Sequence, residues 1–374
     1  MYIIEYFKNY VSNTVAGSGT QMCFESDGKP QTGRLFYKIT KGGEYDYSFL
    51  YTNIADGTFD DGSVSHKNLV FDSWNIISLR AAVCKNVTVY PNGDNFIEYS
   101  DGEFDIGDFT EITFGGKPSK TVTPAEYFVT DPIRLSFNDG EYLCLEITFC
   151  GKELPQCKET VIPAFRLIDG EWINSSDIPF PSMIGCQRAV KKKIAYLGDS
   201  ITQGLGTVTN SYSHWNAVVS EKLGDEYAFW NLGLGFGRAD DAASDGTWLF
   251  KAKQNDIVVL CYGVNDTIRG FSADEIKNNL KKIVDKLNER NIKVIIQTVP
   301  PFDYTDEKIN IWNDVNTYIK QVLSKETAAC FDVVPILGAD AEHPYNTVFG
   351  GHPNAEGCRL WGEALTPVIE KVIK

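Results

Sequence analysis

The spacing of apolar residues changes near residue 191, and this change constrains the fold more than any other feature of the chain. Upstream of it, short β-type runs alternate with turn residues, and helical periodicity is almost absent. The clearest pair, Ile133 to Phe137 and Tyr142 to Phe149, flanks Asn138-Asp139-Gly140 and is typical of a β-hairpin. Further runs are Arg34 to Thr40, Tyr45 to Thr52, Trp74 to Val83, Val87 to Tyr90 and Phe109 to Phe114. The pattern predicts a β-sandwich of jelly-roll type over residues 1–160.

From Lys191 onward, strand-length apolar runs alternate with amphipathic stretches. The clearest helix runs from Ser272 to Glu289, and Ser272 and Glu275 have the spacing of a capping box. Such alternation predicts an α/β fold over residues 191–374, a three-layer arrangement of a parallel sheet flanked by helices. An ordered connecting segment is expected at residues 161–190, which are too apolar for a solvated linker. The predicted strands are Ile194 to Leu197, Ala228 to Leu232, Ile257 to Tyr262, Val294 to Val299 and Phe331 to Val334.

Charge and composition exclude several classes of partner. A net charge of −15 argues against nucleic acid, anionic membrane surfaces and strongly anionic substrates. The N-terminus lacks a sustained apolar segment, so we expect no signal peptide, and no apolar stretch is long enough to span a membrane. Nine scattered cysteines, an odd number without a C-x-x-C pair, indicate free thiols in a reducing cytoplasm. Histidines and acids are not grouped at ligand spacing, so we expect neither metal nor cofactor.

Four motifs carry the chemistry, and each falls at the end of a predicted strand or the start of a helix. The apolar run from Ile194 stops abruptly at Gly198-Asp199-Ser200, which places a serine at the carboxyl end of the sheet, where open α/β folds bind ligands. Asn231-Leu232-Gly233-Leu234-Gly235, Gly263-Val264-Asn265-Asp266 and His352-Pro353-Asn354 follow in order. Together they resemble the four sequence blocks of the SGNH (GDSL-type) hydrolases, a family of serine esterases and acylhydrolases.

The resemblance makes Ser200 the candidate nucleophile, and a serine hydroxyl needs a base to remove its proton. The chain offers four histidines: His66, His214, His343 and His352. His66 lies in the predicted sandwich, and His214 is expected to be a surface or packing residue. His343 and His352 both precede proline, but His352 alone leads into a predicted helix within a context similar to the last block of the family. We therefore assign His352 as the base.

One position departs from the family. Most members carry an aspartate three residues before the catalytic histidine, and Phe349 occupies that position here. No acid lies close by, since Asp340 and Glu342 are farther upstream. We therefore put forward a Ser200–His352 dyad, in which a backbone carbonyl orients the imidazole.

The resemblance also implies an oxyanion hole, the set of donors that stabilises the charge developing on the substrate carbonyl. It would consist of the Ser200 N–H, a glycine N–H after the second strand, and the Asn265 side-chain amide. The family pattern puts Phe236 at its final glycine, so the choice falls on the flanking glycines, Gly235 first and Gly237 as its rival. Two acids are expected to support these loops by hydrogen bonds: Asp199 and Asp266.

A jelly roll ahead of an SGNH domain is similar to the family-two carbohydrate esterases and acetylxylan esterases. The resemblance implies a cytoplasmic esterase that removes acetyl groups from oligosaccharides through an acetyl-enzyme on Ser200. Two alternatives remain open. One is a short-chain lipid or thioester acylhydrolase on the same residues, and the other is a carbohydrate-binding protein with a decayed site. The expected partner is a small ester or oligosaccharide substrate, and the oligomeric state is left open.

Overall fold

The computed structural model describes residues 3–57, 67–92, 98–305, 307–338 and 345–374. Its N-terminal part is built from many short strands, as the turn-rich pattern predicts. Helix α1 (Ile3–Asn9) precedes them. The strands are β1 (Val11–Ser12), β2 (Met22–Glu25), β3 (Gln31–Lys38), β4 (Gly43–Thr52), β5 (Trp74–Pro91), β6 (Tyr99–Ile106), β7 (Thr110–Ile112), β8 (Lys120–Val122), β9 (Tyr127–Val129), β10 (Ile133–Phe137), β11 (Tyr142–Cys150), β12 (Glu153–Gln156), β13 (Ala164–Ile168), β14 (Glu171–Asn174) and β15 (Met183–Cys186).

Among the described residues, two large antiparallel sheets and the small antiparallel pair β2–β12 form the N-terminal domain. The first has the order β1-β15-β4-β10, with β9 also paired to β4. The second has the order β14-β13-β3-β11-β5-β6, with β7 and β8 also paired to β5. Side chains of both sheets, such as Phe49 of β4 and Leu145 of β11, belong to one buried core. The architecture is that of a β-sandwich.

The predicted hairpin at Asn138-Asp139-Gly140 is wrong, although the turn itself forms. Strand β10 pairs with β4 in the first sheet, whereas β11 pairs with β3 and β5 in the second. The turn therefore joins the two sheets. Burial explains the outcome, because β11 is covered on both faces: Leu145 enters the core between the sheets, and Cys144 enters a second cluster with Phe36 on the outer side.

The segment at 161–190, expected to connect the two domains, contributes three strands to the sandwich. Strand β13 pairs with β3 and β14, and β15 pairs with both β4 and β1. The apolar residues that argued against a solvated linker, such as Phe165, Ile178 and Phe180, are buried. We therefore propose that the sandwich extends to about residue 190.

The remainder of the chain forms an α/β domain around a parallel sheet with the order β17-β16-β18-β19-β20. Its strands are β16 (Lys193–Gly198), β17 (Ala228–Gly233), β18 (Ile257–Cys261), β19 (Lys293–Gln297) and β20 (Ala329–Phe331), followed by the small pair β21 (Thr347–Val348) and β22 (His352–Pro353). Its helices are α2 (Ser200–Gln203), α3 (Trp215–Leu223), α4 (Ala239–Ala243), α5 (Thr247–Ala252), α6 (Val264–Ile268), α7 (Ala273–Asn288), α8 (Glu307–Gln321), α9 (Val334–Leu337) and α10 (Ala355–Ile373), with 3₁₀ helices at Leu323–Glu326 and Phe349–Gly351. The predicted parallel sheet is confirmed.

The two domains share a buried boundary. Phe7 of α1 packs against Trp230 of β17, with ring centroids 5.8 Å apart. The Nζ of Lys251 in α5 lies 2.5 Å from Asp56 Oδ2 of the sandwich, and both side chains are 1% exposed. These contacts pack the sandwich against β17 and α5 of the α/β domain.

All nine cysteines are free thiols. No helix in the described ranges combines the length and the apolar character needed to cross a membrane. Among those same residues, no three or more His, Cys, Asp or Glu side chains are grouped as metal ligands would be.

Candidate active site

Ser200 lies at the sharp turn between β16 and α2. Asp199 caps the helix by accepting a hydrogen bond from the Ile201 N–H at 3.0 Å. Gly198 is required before the turn, since a Cβ there would lie 2.6 Å from the Cys261 carbonyl oxygen. The turn holds Ser200 at 7% exposure at the carboxyl end of β16, which lies between β17 and β18 in the sheet.

His352, which lies 152 positions later in the sequence, contacts this serine. Its Nε2 lies 2.9 Å from Ser200 Oγ, which is hydrogen-bonding distance for removal of the hydroxyl proton. The Phe302 ring packs edge-on against the imidazole, with centroids 4.9 Å apart. Two glycines with positive φ flank the histidine: a Cβ on Gly206 would lie 3.0 Å from His352 Cβ, and one on Gly351 would lie 2.8 Å from Phe302 Cα. The histidine is thus held between two close backbone approaches.

Of the other three histidines, the structure describes His214. His214 is fully buried, caps α3, and has a pKa lowered by burial to about 4. It is a packing residue, one of the two roles expected for it. His66 and His343 lie outside the described residues, as do Asp340 and Glu342. The dyad hypothesis for His352 therefore stays a prediction.

The choice of Gly235 as an oxyanion donor is contradicted. Its N–H donates to Gln203 Oε1 at 2.7 Å, so the donor is already engaged. The rival fails in the same way, because the Gly237 N–H donates to the Leu234 carbonyl at 3.1 Å. Between them, Phe236 has φ of 60°, a left-handed conformation that is rare for a bulky residue. Within the described part of the chain no acceptor engages its N–H, which makes Phe236 the better candidate.

The Asn265 side chain lies beside this Gly235–Gly237 loop. Its Nδ2 donates to the Gly237 carbonyl oxygen at 3.0 Å. A primary amide has two N–H donors. Among the described residues, no acceptor engages the second N–H of Asn265, which is therefore left for a ligand. Asn265 sits in the first turn of α6, just after Gly263 with φ of 124°.

The two acids that were expected to support these loops, Asp199 and Asp266, are both buried. Both carboxylate oxygens of Asp266 accept the Ala239 N–H at 3.1 Å, which ties α6 to α4 and holds Asn265 in place. Loss of hydration raises the pKa of Asp199 to about 7, and Asp266 adds to the rise. Burial likewise raises the pKa of Asp266 to about 7, opposed by the hydrogen bond from Ala239.

Residues of the sandwich complete the surroundings of the site, and sequence reasoning missed them. Gln21 Nε2 lies 3.3 Å from the Gly235 carbonyl oxygen and 3.1 Å from Glu159 Oε2. Gln203, three residues after the candidate nucleophile, donates to Cys157 Sγ at 3.2 Å. Nothing in the sequence signals these contacts, because Gln21 is more than 200 residues from its glycine partner.

Comparisons with known proteins match the part of the chain that contains the site. Residues 196–360 match the model of the GDSL-like Lipase/Acylhydrolase family. A search of curated proteins finds no match. The chain is similar to the structure of a member of the lipolytic protein G-D-S-L family from Veillonella parvula DSM 2008, with 19% identity over 48% of this chain and 98% of that one, at a TM-score of 0.40. It is also similar to the structure of the acetyl xylan esterase AlAXEase, with 22% identity over 47% of this chain and 99% of that one, at a TM-score of 0.40. A carbohydrate esterase family 3 structure from Talaromyces cellulolyticus is similar as well, with 20% identity over 48% of this chain and 97% of that one, at a TM-score of 0.38.

Proposed function

Residues 196–360 belong to the GDSL-like lipase/acylhydrolase family, and from this premise we propose that the protein is a serine esterase that removes acetyl groups from carbohydrates. One observation carries the esterase assignment: the 2.9 Å contact between Ser200 Oγ and His352 Nε2 at the carboxyl end of a parallel sheet. A serine activated by a base at this distance is suited to acyl transfer.

The proposed reaction proceeds in two halves. As Ser200 Oγ attacks the acetyl carbonyl carbon, its proton passes to His352 Nε2. The negative charge on the carbonyl oxygen is stabilised by the Phe236 N–H, the Asn265 amide and the Ser200 N–H. When the C–O bond to the sugar breaks, His352 returns the proton to the leaving alkoxide. Water, deprotonated by His352, then attacks the acetyl-enzyme. As the bond between the acetyl carbon and Ser200 Oγ breaks, His352 returns the proton to Ser200 Oγ, and acetate leaves.

Two partly exposed aromatic residues support a preference for short acyl groups. Phe302 packs against the His352 ring, and Phe236 lies on the loop that supplies the proposed oxyanion donor. Side chains of this size beside the reacting atoms restrict the space for an acyl chain. A long apolar pocket would instead gain up to about 0.8 kcal/mol for each buried methylene.

A substrate series tests the assignment. We expect kcat/KM for 4-nitrophenyl esters to fall from acetyl through butyryl to octanoyl, and we expect acetate release from acetylated xylo-oligosaccharides. If kcat/KM rises with chain length and no acetate is released from the oligosaccharides, the function belongs to the lipid or thioester class. Binding of oligosaccharides without hydrolysis of any ester would indicate a decayed site.

Substitution of the two reacting residues tests the mechanism. Ser200→Ala and His352→Ala should each lower kcat by several orders of magnitude and to a similar extent, because the two act as one unit. Ser211 offers a control, since it is exposed and its hydroxyl is paired with that of Ser213. His343→Ala is expected to cost little, and damage equal to that of His352→Ala would reassign the base.

A further inference from the structure

Glu159 brings a carboxylate of the sandwich domain directly over the Gly235–Gly237 loop. A side chain at Gly235 would collide with Glu159 Oε2, so the carboxylate covers the backbone at this point. Gln21 fixes the position of Glu159 through two hydrogen bonds. Its Oε1 accepts from the Glu159 N–H at 3.2 Å, and its Nε2 donates to Glu159 Oε2 at 3.1 Å. The position of Glu159 is therefore set by the same contacts that hold the candidate oxyanion loop.

The other oxygen of this carboxylate lacks a protein donor. Within the described part of the chain no N–H or O–H reaches Glu159 Oε1, whereas an ionised carboxylate has room for several hydrogen bonds. Burial raises the pKa of Glu159, and the hydrogen bond from Gln21 opposes that rise. A partly desolvated carboxylate with a free oxygen gains from any ligand that supplies an O–H donor.

A cavity of about 610 Å³ opens at this residue. The volume is within the range of small-molecule binding sites, roughly 300–1,000 Å³. Its walls combine apolar surface with hydroxyl, amide, carboxylate and ammonium groups. The described polar lining includes Lys158, Glu159, Thr160, Asn174, Ser175 and Asp177.

We infer that this cavity binds the polyhydroxylated alcohol portion of the substrate, and that Glu159 accepts a hydrogen bond from one of its hydroxyl groups. The inference rests on the proposed carbohydrate esterase function and assigns a site for its leaving group. A neutral polyol fits because it supplies many donors to the walls, whereas an anionic ligand would be repelled by Glu159 and Asp177. Glu159 would thus determine specificity without taking part in acyl transfer.

Kinetics on two substrates test this role. We compare kcat/KM for acetylated xylo-oligosaccharides with kcat/KM for 4-nitrophenyl acetate, which lacks sugar hydroxyls. In Glu159→Ala the ratio of the two should fall about tenfold, as expected for loss of a hydrogen bond to a charged group, with the change mainly in KM for the oligosaccharide. Glu153→Gln, at an exposed position of β12, is the matched control and should leave the ratio unchanged. Equal losses on both substrates would mean that Glu159 only supports the loop, and would overturn the inference.

A binding measurement separates failure of this inference from failure of the proposed function. Xylotetraose is titrated by calorimetry into Ser200→Ala and into the double variant Ser200→Ala/Glu159→Ala. Binding that weakens about tenfold in the double variant supports the cavity, even if the wild-type protein releases no acetate from oligosaccharides. Absent binding, or binding that Glu159→Ala leaves unchanged, rejects the cavity whatever the esterase activity.

Discussion

At the scale of single residues, the Gly235–Gly237 loop is held by side chains that come from both domains. The Gly235 N–H donates to Gln203, and its carbonyl accepts from Gln21. With both groups fixed, Phe236 remains in a left-handed conformation that costs on the order of 1–3 kcal/mol. Strain of this kind persists where the surroundings determine it, and here it leaves one N–H available for a ligand.

The Asn265 amide gives the most direct test of the oxyanion hole. Asn265→Ala should lower kcat by roughly 100- to 1,000-fold with little change in KM, because the lost donor acts mainly on the transition state. Steady-state kinetics on 4-nitrophenyl acetate measures both constants. Asn288→Ala, on the exposed side of α7, is the control. An unchanged kcat in Asn265→Ala would reduce this residue to a loop asparagine.

Asp199 gives the stability of the protein a pH dependence. Its folded pKa of about 7 lies above the ordinary value of 3.8, so the folded state retains a proton that the unfolded state has released. The stability linked to that proton is complete below pH 3.8 and is lost as the pH rises to about 7, a change on the order of 4 kcal/mol. Asp199→Asn keeps the helix cap without the titration.

Urea unfolding at pH 5 and pH 8 checks this prediction. The free energy of unfolding of Asp199→Asn, minus that of wild type, should be larger at pH 8 than at pH 5, because the variant no longer buries a charge at pH 8. Asp108→Asn, at an exposed position, should show no such difference. A difference between wild type and Asp199→Asn that is the same at both pH values would argue against the burial of a titrating group.

The sequence anticipated these residues unevenly. It paired Ser200 with His352 across more than 150 positions, and the two atoms lie 2.9 Å apart. It failed at the loop, because glycine was favoured for a positive φ that Phe236 in fact adopts. Backbone conformation at a non-glycine residue is imposed by tertiary contacts, here those of Gln21 and Gln203, and leaves no mark on the local sequence.

At the scale of secondary-structure elements, the histidine is positioned by two loops and not by a helix. Gly206 follows α2, and Gly351 ends the 3₁₀ helix before β22. Gly206 lies too close to His352, and Gly351 too close to Phe302, for either glycine to carry a side chain. Ser200 and His352 are therefore held together by contacts between backbone segments.

Gly351→Ala tests this arrangement. The added Cβ would meet Phe302 Cα at 2.8 Å and displace His352, so kcat/KM should fall at least tenfold. Gly116→Ala is the matched control, because Gly116 also has a positive φ, 78°, but an added Cβ meets nothing within 4 Å. Both variants should lose stability from the strained conformation, and activity loss in the first alone would separate displacement from strain. Full activity in Gly351→Ala would contradict the argument.

Helices and strands were largely predictable as elements, whereas their partners were not. The capping box at Ser272 and Glu275 opens α7 as expected, and β10 spans the predicted run Ile133–Phe137. The predicted hairpin failed because strand pairing depends on which distant edge is free, and β4 offered one to β10. Local periodicity carries no information on that choice.

At the scale of the whole molecule, the buried pair between Lys251 and Asp56 joins the two domains. Lys251→Met should lower the free energy of unfolding by about 3–5 kcal/mol, because it leaves the aspartate charge buried without a partner. Lys191→Met is the control, since it removes a pair with Glu226 in which the side chains are 60% and 59% exposed, and it should have a much smaller effect. Equilibrium denaturation with urea measures both, and equal effects would contradict a role for burial.

The domain organisation was predictable in its two halves but not at the junction. The change in the spacing of apolar residues near residue 191 coincides with the start of β16 at Lys193. Strands β13 and β15 were missed because their partners, β3 and β4, lie more than 120 positions upstream. Nothing near Met183–Cys186 indicates that it completes a sheet begun by the first residues of the chain.

That pairing has a consequence for synthesis. Segments of a growing polypeptide leave the ribosome in order, and N-terminal domains generally fold first. The first sheet of the sandwich cannot close until Met183–Cys186 has emerged and paired with β4 and β1. Residues 193–198, which form the strand β16 that leads into Ser200, follow almost at once. The nascent hydrolase half therefore emerges beside a newly closed surface that already presents Gln21 and Glu159 to it.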